Sequence, residues 1–282
     1  MTYPKISIVT PSYNQAEYLE HTICSVLNQN YPNLEYIIID GGSTDGSVEI
    51  IKKYADKLTY WVSEKDNGQY DAINKGFSHT TGDILGWLNS SDIYFPWTFN
   101  TIVEIFEGHK EVQWISGIPT NLSKGIAPQT VYYATEKNRY DIISGNYKWI
   151  QQESTFWKRS LWEKAGKLDI SVKYAADLKL WIDFFKHENI YYVNTILAGL
   201  RYHDVRRGED QNGIYFREAD AEYKKFKAAS SSSDRRRALM VKLFISNNFF
   251  RRIIKKLRIF RWYKHYSIFF DYTTKSWQTK VD

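Results

Sequence analysis

The chain has 282 residues, 43% of them hydrophobic, with one cysteine and a formal net charge of +6, and it holds no apolar run near the roughly 18 residues that cross a bilayer. That length suits one large domain or a domain with an appendage, and a lone Cys24 excludes an intramolecular disulfide framework. The opening MTYPKISIVTPSYN lacks a charged start followed by an apolar core, so a reducing cytoplasm is the expected setting and any membrane contact is expected to be peripheral.

The net charge hides a division. Residues 235–264 hold 11 Lys and Arg and no Asp or Glu, which leaves 27 basic residues against 32 acidic ones elsewhere, a net of −5. An acidic body carries a strongly basic tail.

In chain order, KISIVTP (residues 5–11), LEYIIID (34–40), LTYWVS (58–63) and DILGWLN (83–89) are short β-branched or aromatic runs that end in polar or glycine residues. Helical patterns lie between them. In the first, Leu19, Ile23, Val26 and Leu27 share a face, and Asn14 with Glu17 has the spacing of a capping box. The second is expected over residues 47–54 and the third over 70–77. Strands that are apolar throughout, alternating with helices, predict an α/β fold with a mostly parallel sheet covered on both faces. In such a sheet ligands bind beyond the carboxyl ends of the strands. Here those ends read TPSYN, DGGSTDG, EKDNG and NSSD, which together make a nucleotide-sized polar edge.

A helix over residues 97–106 and a strand over 112–117 follow. Residues 119–149 are irregular and are expected to form an acceptor-facing region or lid. Regular structure resumes over residues 151–166 and in a helix over 174–187, where Leu178, Trp181, Ile182 and Phe185 form an apolar stripe. A strand over residues 190–203 is expected to close the domain. SSSSD (230–234) reads as a linker to the tail.

Taken together, ISIVTPSYNQAEYLEHTICSVLNQNYPNLEYIIIDGGSTDGS, GQYDAINKGF and GDILGWLNSSDIY resemble the nucleotide-sugar half of family 2 glycosyltransferases of the GT-A type. QESTFWKRSLWEKAG followed by YAADLKLW is similar to their acceptor half, especially in bacterial enzymes of surface-polysaccharide synthesis. The resemblance implies a Rossmann-like GT-A domain with its nucleotide-sugar half in residues 1–118 and its acceptor half in 119–210. Residues 211–282 are then a helical, basic, amphipathic extension outside it.

What the resemblance implies for the site is specific. Asp177, in YAADLKLW, matches the family's catalytic base, for which the alternative is an aspartate favoured by a helix dipole. Asp40 matches a base-reading aspartate with Pro11 and Tyr13 walling the ring; the competing reading has Asp40, like Asp45, capping the next helix. Asn14, Asp71, Asn74 and Lys75 are donor-side candidates, and a solvated helix face would carry the same letters at 71, 74 and 75. Glu153 and Trp157 are acceptor candidates, although large aromatics at such spacing commonly form core.

Where many relatives carry two or three carboxylates, this chain reads Asn89-Ser90-Ser91-Asp92. Asn89 and Ser91 then face the donor, and Mn²⁺ or Mg²⁺ is expected on Asp92 and His203 together with substrate phosphates. Two other readings stand: cations such as Lys75, Arg201, Arg206 or Arg207 replace the metal, or the protein binds without turnover. The implied function is inverting, hexosyltransferase-like transfer from a nucleoside-diphosphate sugar, UDP-linked by preference, to a glycan or lipid-linked hydroxyl. The alternative is a non-catalytic nucleotide-sugar or glycan-binding relative.

In the tail, Phe250, Ile253, Ile254, Leu257 and Phe260 share a face, with Arg251, Arg252, Lys255, Lys256 and Arg258 around them. That pattern is expected on an anionic membrane surface, such as the inner face of the cell membrane, ahead of packing on the domain and of nucleic-acid binding.

Overall fold

Apolar side chains at consecutive positions make strands that must be covered on both sides, and the central sheet is built from them. The computed structural model describes residues 3–132, 136–147, 150–202, 213–245 and 260–282. In it β1 (Ile6–Ser12), α1 (Ala16–Leu27), β2 (Leu34–Asp40), α2 (Ser47–Lys53), β3 (Tyr60–Ser63), α3 (Gln69–Ser78) and β4 (Ile84–Trp87) alternate as the sequence predicts. β1 pairs in parallel with β2 and β4, and β3 pairs in parallel with the far side of β2.

The chain continues through β5 (Ile93–Tyr94), α4 (Thr98–Gly108), β6 (Trp114–Ser116), β7 (Thr120–Leu122), β8 (Pro128–Val131) and α5 (Arg139–Ser144). Then come β9 (Thr155–Lys158), α6 (Arg159–Ala165), α7 (Ala176–Phe185), β10 (Tyr191–Val193) and β11 (Ala198–Arg201). α8 (Ile214–Ala229), α9 (Ser232–Met240), β12 (Tyr266–Asp271) and β13 (Ser276–Val281) complete it. The large sheet has the order β13-β12-β10-β6-β9-β4-β1-β2-β3, and β5, β11, β7 and β8 form a second sheet. β9 runs antiparallel to β4 and β6, and β13 antiparallel to β12.

Alternation along each strand divides the core between the two faces. Val9, Ile37, Ile39, Leu85, Trp87, Trp114 and Trp157 point to the side covered by α3, α6 and α7. Ile6, Ile8, Tyr36, Ile38, Ile84, Ile115 and Phe156 point to the side covered by α1 and α4. Each such side chain, removed from water, contributes about 1.5–3 kcal/mol. The first face contains stacked tryptophans: Trp181 lies 5.7 Å from Trp87 and 5.8 Å from Trp114, ring centre to ring centre.

Several expectations are corrected. The capping box does not form, because Asn14 adopts φ 50°, a left-handed conformation that asparagine tolerates, and the helix starts later, at Ala16. The closing strand over 190–203 is two strands, since β10 pairs in the large sheet and β11 in the small one. The irregular stretch holds β7, β8 and α5, the last with a capping box between Asn138 and Asp141. SSSSD is a tight junction in which Ser231 accepts a hydrogen bond from the Asp234 amide and caps α9.

The extension is helical only in part. β12 and β13 form a hairpin whose first strand pairs in parallel with β10, and Trp277 fastens it by donating to Glu104 at 2.9 Å. YSIFFD and SWQTKV lack the Asn-Gly or Asp-Gly signal that marks a hairpin in a sequence, and the basic pattern before them masks the change of period. The basic stripe from Phe250 to Leu257, with Arg258, lies outside the described residues.

α3 lies flush on β1 because Gly76 has no side chain: a Cβ there would stand 2.4 Å from a Val9 methyl. Gly108, at the end of α4, has nothing within 4 Å of the same position. Gly76→Ala should therefore destabilise the fold by about 1–3 kcal/mol through overpacking, whereas Gly108→Ala should leave it unchanged or slightly more stable. Thermal unfolding of the two variants checks the contrast; equal midpoints would contradict the close approach.

Candidate active site

The register β1–β2–β3 brings Ser12, Asp40 and Ser63 side by side at the carboxyl edge of the sheet. Asp40 is wholly buried there and organises the turn that follows it. Its Oδ2 accepts from the amides of Gly42 and Ser43 at 3.1 and 2.8 Å and from Ser63 Oγ at 2.6 Å, while Oδ1 accepts from Ser43 Oγ at 2.5 Å. Gly42 takes φ 82°, which suits the turn to glycine. Asp40 thus closes the turn after β2 and caps no helix, since α2 starts at Ser47 behind Gly46 without a side-chain cap.

The β1 and β2 loops are tied to each other. Ser43 Oγ accepts from the Asn14 amide at 2.8 Å, and Asn14 Oδ1 accepts from the Thr44 amide at 2.9 Å. Asp45 bridges two helix starts, accepting from Ala16 N at 2.8 Å and from Ser47 N and Oγ at 3.0 and 2.6 Å. These bonds hold its carboxyl below the usual aspartate range against the opposing effect of burial. Pro11 is buried beneath this network and Tyr13 stands out from it, 62% exposed, free to cover a planar ring.

At the end of β4, Asn89 is the hub. Its Oδ1 accepts from Gln69 Nε2 at 2.6 Å, and its Nδ2 donates to Gln152 Oε1 at 3.1 Å and Asp92 Oδ2 at 3.2 Å. Gln152 in turn donates to the Trp87 carbonyl at 2.7 Å. Asp92 faces inward, 1% exposed, with Oδ1 accepting from the Arg201 amide at 3.0 Å. The Arg201 side chain is buried beside it, 5.3 Å from the Tyr18 ring and 3.2 Å from His21 Nδ1. Burial lowers the guanidinium's pKa, and the Asp92 charge opposes that shift.

A hard dication asks for several oxygen ligands. The described residues contain no group of three or more His, Cys, Asp or Glu side chains that could hold one. Asn89 and Ser91 are neutral, Ser91 is nearly buried, and both Asp92 oxygens already accept hydrogen bonds. The cluster therefore does not fit a self-sufficient metal centre. His203, the other expected ligand, lies outside the described residues, as do Arg206 and Arg207.

Asp177 lies in the first turn of α7, and its environment is of another kind. Its Oδ1 is buried with no hydrogen-bond partner among the described residues. Desolvation pushes the carboxyl up to about 6, against the smaller pull of the amides of Leu178 and of Asp177 itself. Tyr70 and Tyr215 are buried close by, and the Asp177 charge adds to the burial that raises both phenols. α3 connects this carboxyl to the Asn89 hub, because Gln69 reaches Asn89 and the adjacent Tyr70 donates to the Tyr174 carbonyl at 2.7 Å.

Other candidates serve the framework. Asn74 exchanges two hydrogen bonds with the Leu168 backbone, at 2.8 and 3.1 Å, which ties α3 to the segment before α7. Asp71 accepts from Asn67, and Lys75 pairs with Glu64. Trp157 is wholly buried among Trp87, Trp162 and Trp181, which takes it out of reach of an acceptor. Glu153 is buried, 2% exposed, and its charge acts on the phenol of Tyr94. Gln69, Gln152, Tyr70 and Tyr215 were missed as site residues. The first three stand inside or beside the recognised motifs, and Tyr215 follows them in a helix the sequence reading did not place.

Comparison with known proteins agrees with this geometry. Residues 7–125 match the family model Glycosyl transferase family 2. An uncharacterized glycosyltransferase of Rickettsia prowazekii is 30% identical over 206 residues, 71% of this chain and 64% of that protein. One of Mycobacterium tuberculosis is 32% identical over 178 residues, 62% of this chain and 66% of that protein. The matched part of the chain thus spans under two thirds of the length of these relatives. Among solved structures, S. aureus TarS 1–349 in complex with UDP-GlcNAc superposes with a TM-score of 0.65 at 16% identity, covering 90% of this chain and 76% of that one. The mannosyltransferase PcManGT of Pyrobaculum calidifontis, in complex with GDP-Man and Mn²⁺, superposes with a TM-score of 0.55 at 16% identity, covering 90% of this chain and 84% of that one. Residues 7–125 thus carry the signature of the family 2 glycosyltransferases, and the chain has the GT-A fold.

Proposed function

We propose that this protein transfers a sugar from a nucleoside-diphosphate sugar, with UDP as the nucleotide, to a hydroxyl of a glycan or lipid-linked acceptor, with inversion at the anomeric carbon. The observation that carries the proposal is Asp177, a carboxyl at a helix start with a buried oxygen left without a partner and a pKa of about 6. A base with that pKa is ionised at neutral pH yet basic enough to accept a proton. UDP-GlcNAc in the TarS complex supports the choice of nucleotide. Tyr13 and Pro11 form the wall for the base, and the loops held by Asp40, Asn14 and Asp45 fix that wall in place.

In the reaction Asp177 takes the proton of the acceptor hydroxyl while its oxygen attacks the anomeric carbon. The bond to the diphosphate breaks on the opposite side, so the carbon inverts and no sugar is attached to the enzyme. No step is assigned to a metal. Arg201, buried beside Asp92 with Nε and Nη2 lacking partners among the described residues, adds positive charge beneath the edge proposed to receive the diphosphate.

The apolar surface of the end of α9 and the turn that follows it suits an enzyme whose acceptor is on a membrane. Leu239, Met240, Leu243 and Phe244 are 54, 41, 59 and 40% exposed, and Arg235, Arg236 and Lys242 stand out around them. No helix among the described residues is long and apolar enough to cross a membrane. This patch, with its flanking basic residues, supports peripheral contact with an anionic surface, where each Lys or Arg contributes about 1 kcal/mol.

Asp177→Asn should reduce turnover by about 100- to 10,000-fold and leave UDP affinity unchanged; near-normal turnover would remove Asp177 from the role. In the wild type, turnover should fall as pH drops through about 6, where the base takes its proton. The same raised pKa makes the ionised form unfavourable in the folded state, so Asp177 favours folding below the ordinary aspartate range and this contribution is lost as pH rises through about 6. Asp177→Asn should therefore unfold at a higher temperature than wild type at pH 7.5, with the difference closing below pH 4 or so.

Calorimetric titration with UDP, in Mn²⁺ and then in EDTA, tests the metal-free reading. Binding should persist in EDTA, and binding seen with Mn²⁺ alone would mean that Asp92 and the diphosphate build a site together. Sedimentation with phosphatidylglycerol vesicles should retain the wild type and release Leu239→Asp/Leu243→Asp; equal release of both would count against the membrane face.

A further inference from the structure

We infer that Glu218, on α8, is the positioning residue of the active site, holding the segment that presents Asp177. The inference rests on Asp177 being the base. α7 has no side-chain cap of its own. Its N-cap is Ala175, which offers no side chain to the amides at the helix start. The missing acceptor comes from a helix more than 40 residues later: Glu218 Oε1 accepts from Lys173 N at 3.1 Å, and Oε2 accepts from Tyr174 N at 2.8 Å and Ala175 N at 3.2 Å.

The backbone of Tyr174 is thereby held on both sides of its Cα. Its N–H donates to Glu218 of α8 and its carbonyl accepts from Tyr70 of α3. Asp177 follows three residues on, and its position and exclusion from water depend on where this peptide lies. Ala175 and Ala176 belong to the same buried cluster as Ala219, the next residue of α8, and Tyr215, one turn earlier, packs against that cluster. Methyl groups on both sides let α8 come close enough for a glutamate to reach the backbone. Glu218 lies well outside residues 7–125, so the part of the chain that matches the family model does not contain it.

Titration of the aspartate carboxyls by ¹³C NMR in the full chain tests the inference, with Asp177→Asn identifying the signal. In wild type that signal should titrate near 6. Glu218→Ala frees three amides, lets water into the first turn and should lower the midpoint by about one unit or more towards the ordinary range. Glu218→Gln retains an acceptor oxygen and should give a smaller shift in the same direction, which keeps the test available if the alanine variant does not fold. A role confined to packing α8 would lower the melting temperature of Glu218→Ala and leave the Asp177 midpoint where it was; that result would overturn the inference. Failure of the base assignment shows in a different signal, retained turnover in Asp177→Asn, so the two can be told apart.

Discussion

The close contact of α3 with β1 is the constraint on which the rest of the site depends. A single hydrogen at Gly76, where any side chain would collide with Val9, lets the helix sit directly on the strand. From that seat its first turn reaches two ways, through Gln69 to Asn89 and through Tyr70 to Tyr174, and its second turn reaches Leu168 through Asn74. The donor edge of the sheet and the helix that carries Asp177 are therefore referenced to one rigid element. Raising α3 by the thickness of a methyl group would move both references at once.

The first half of the fold was legible because its strands are buried on both faces and its helices are amphipathic, so the two periods alternate without ambiguity. That Asp177 stands in the first turn of a helix was legible from its motif, and its buried environment supports the role proposed for it. The carboxylates and amides that instead serve the framework, Asp40, Asp71 and Asn74 among them, could not be sorted from sequence. A residue that binds a ligand and one that binds a backbone amide use the same atoms. Glu218 was illegible for the same reason that it matters: its partners are backbone amides far away in the chain, and a glutamate in a polar helix carries no mark of them. The hairpin at the end escapes a sequence reading because its strands are half-exposed and its turn carries none of the usual signals.

The polar groups around the site divide into two electrostatic classes. Asp40 and Asp92 each accept hydrogen bonds on both oxygens, the state in which a buried carboxylate is tolerated. Asp177 has a buried oxygen without a partner among the described residues, and the fold holds it there against desolvation. A local conflict of this kind, set in a framework otherwise satisfied, is where function is expected to depart from stability.

The hairpin at the end of the chain has a consequence for how the protein is made. β10 receives its parallel neighbour β12 only after some 70 further residues have left the ribosome. Until then the catalytic half of the molecule has an open strand edge, with unpaired backbone donors and acceptors able to join another copy. During synthesis the extension thus acts as a late closure of the nascent domain, and its length sets how long that edge remains open.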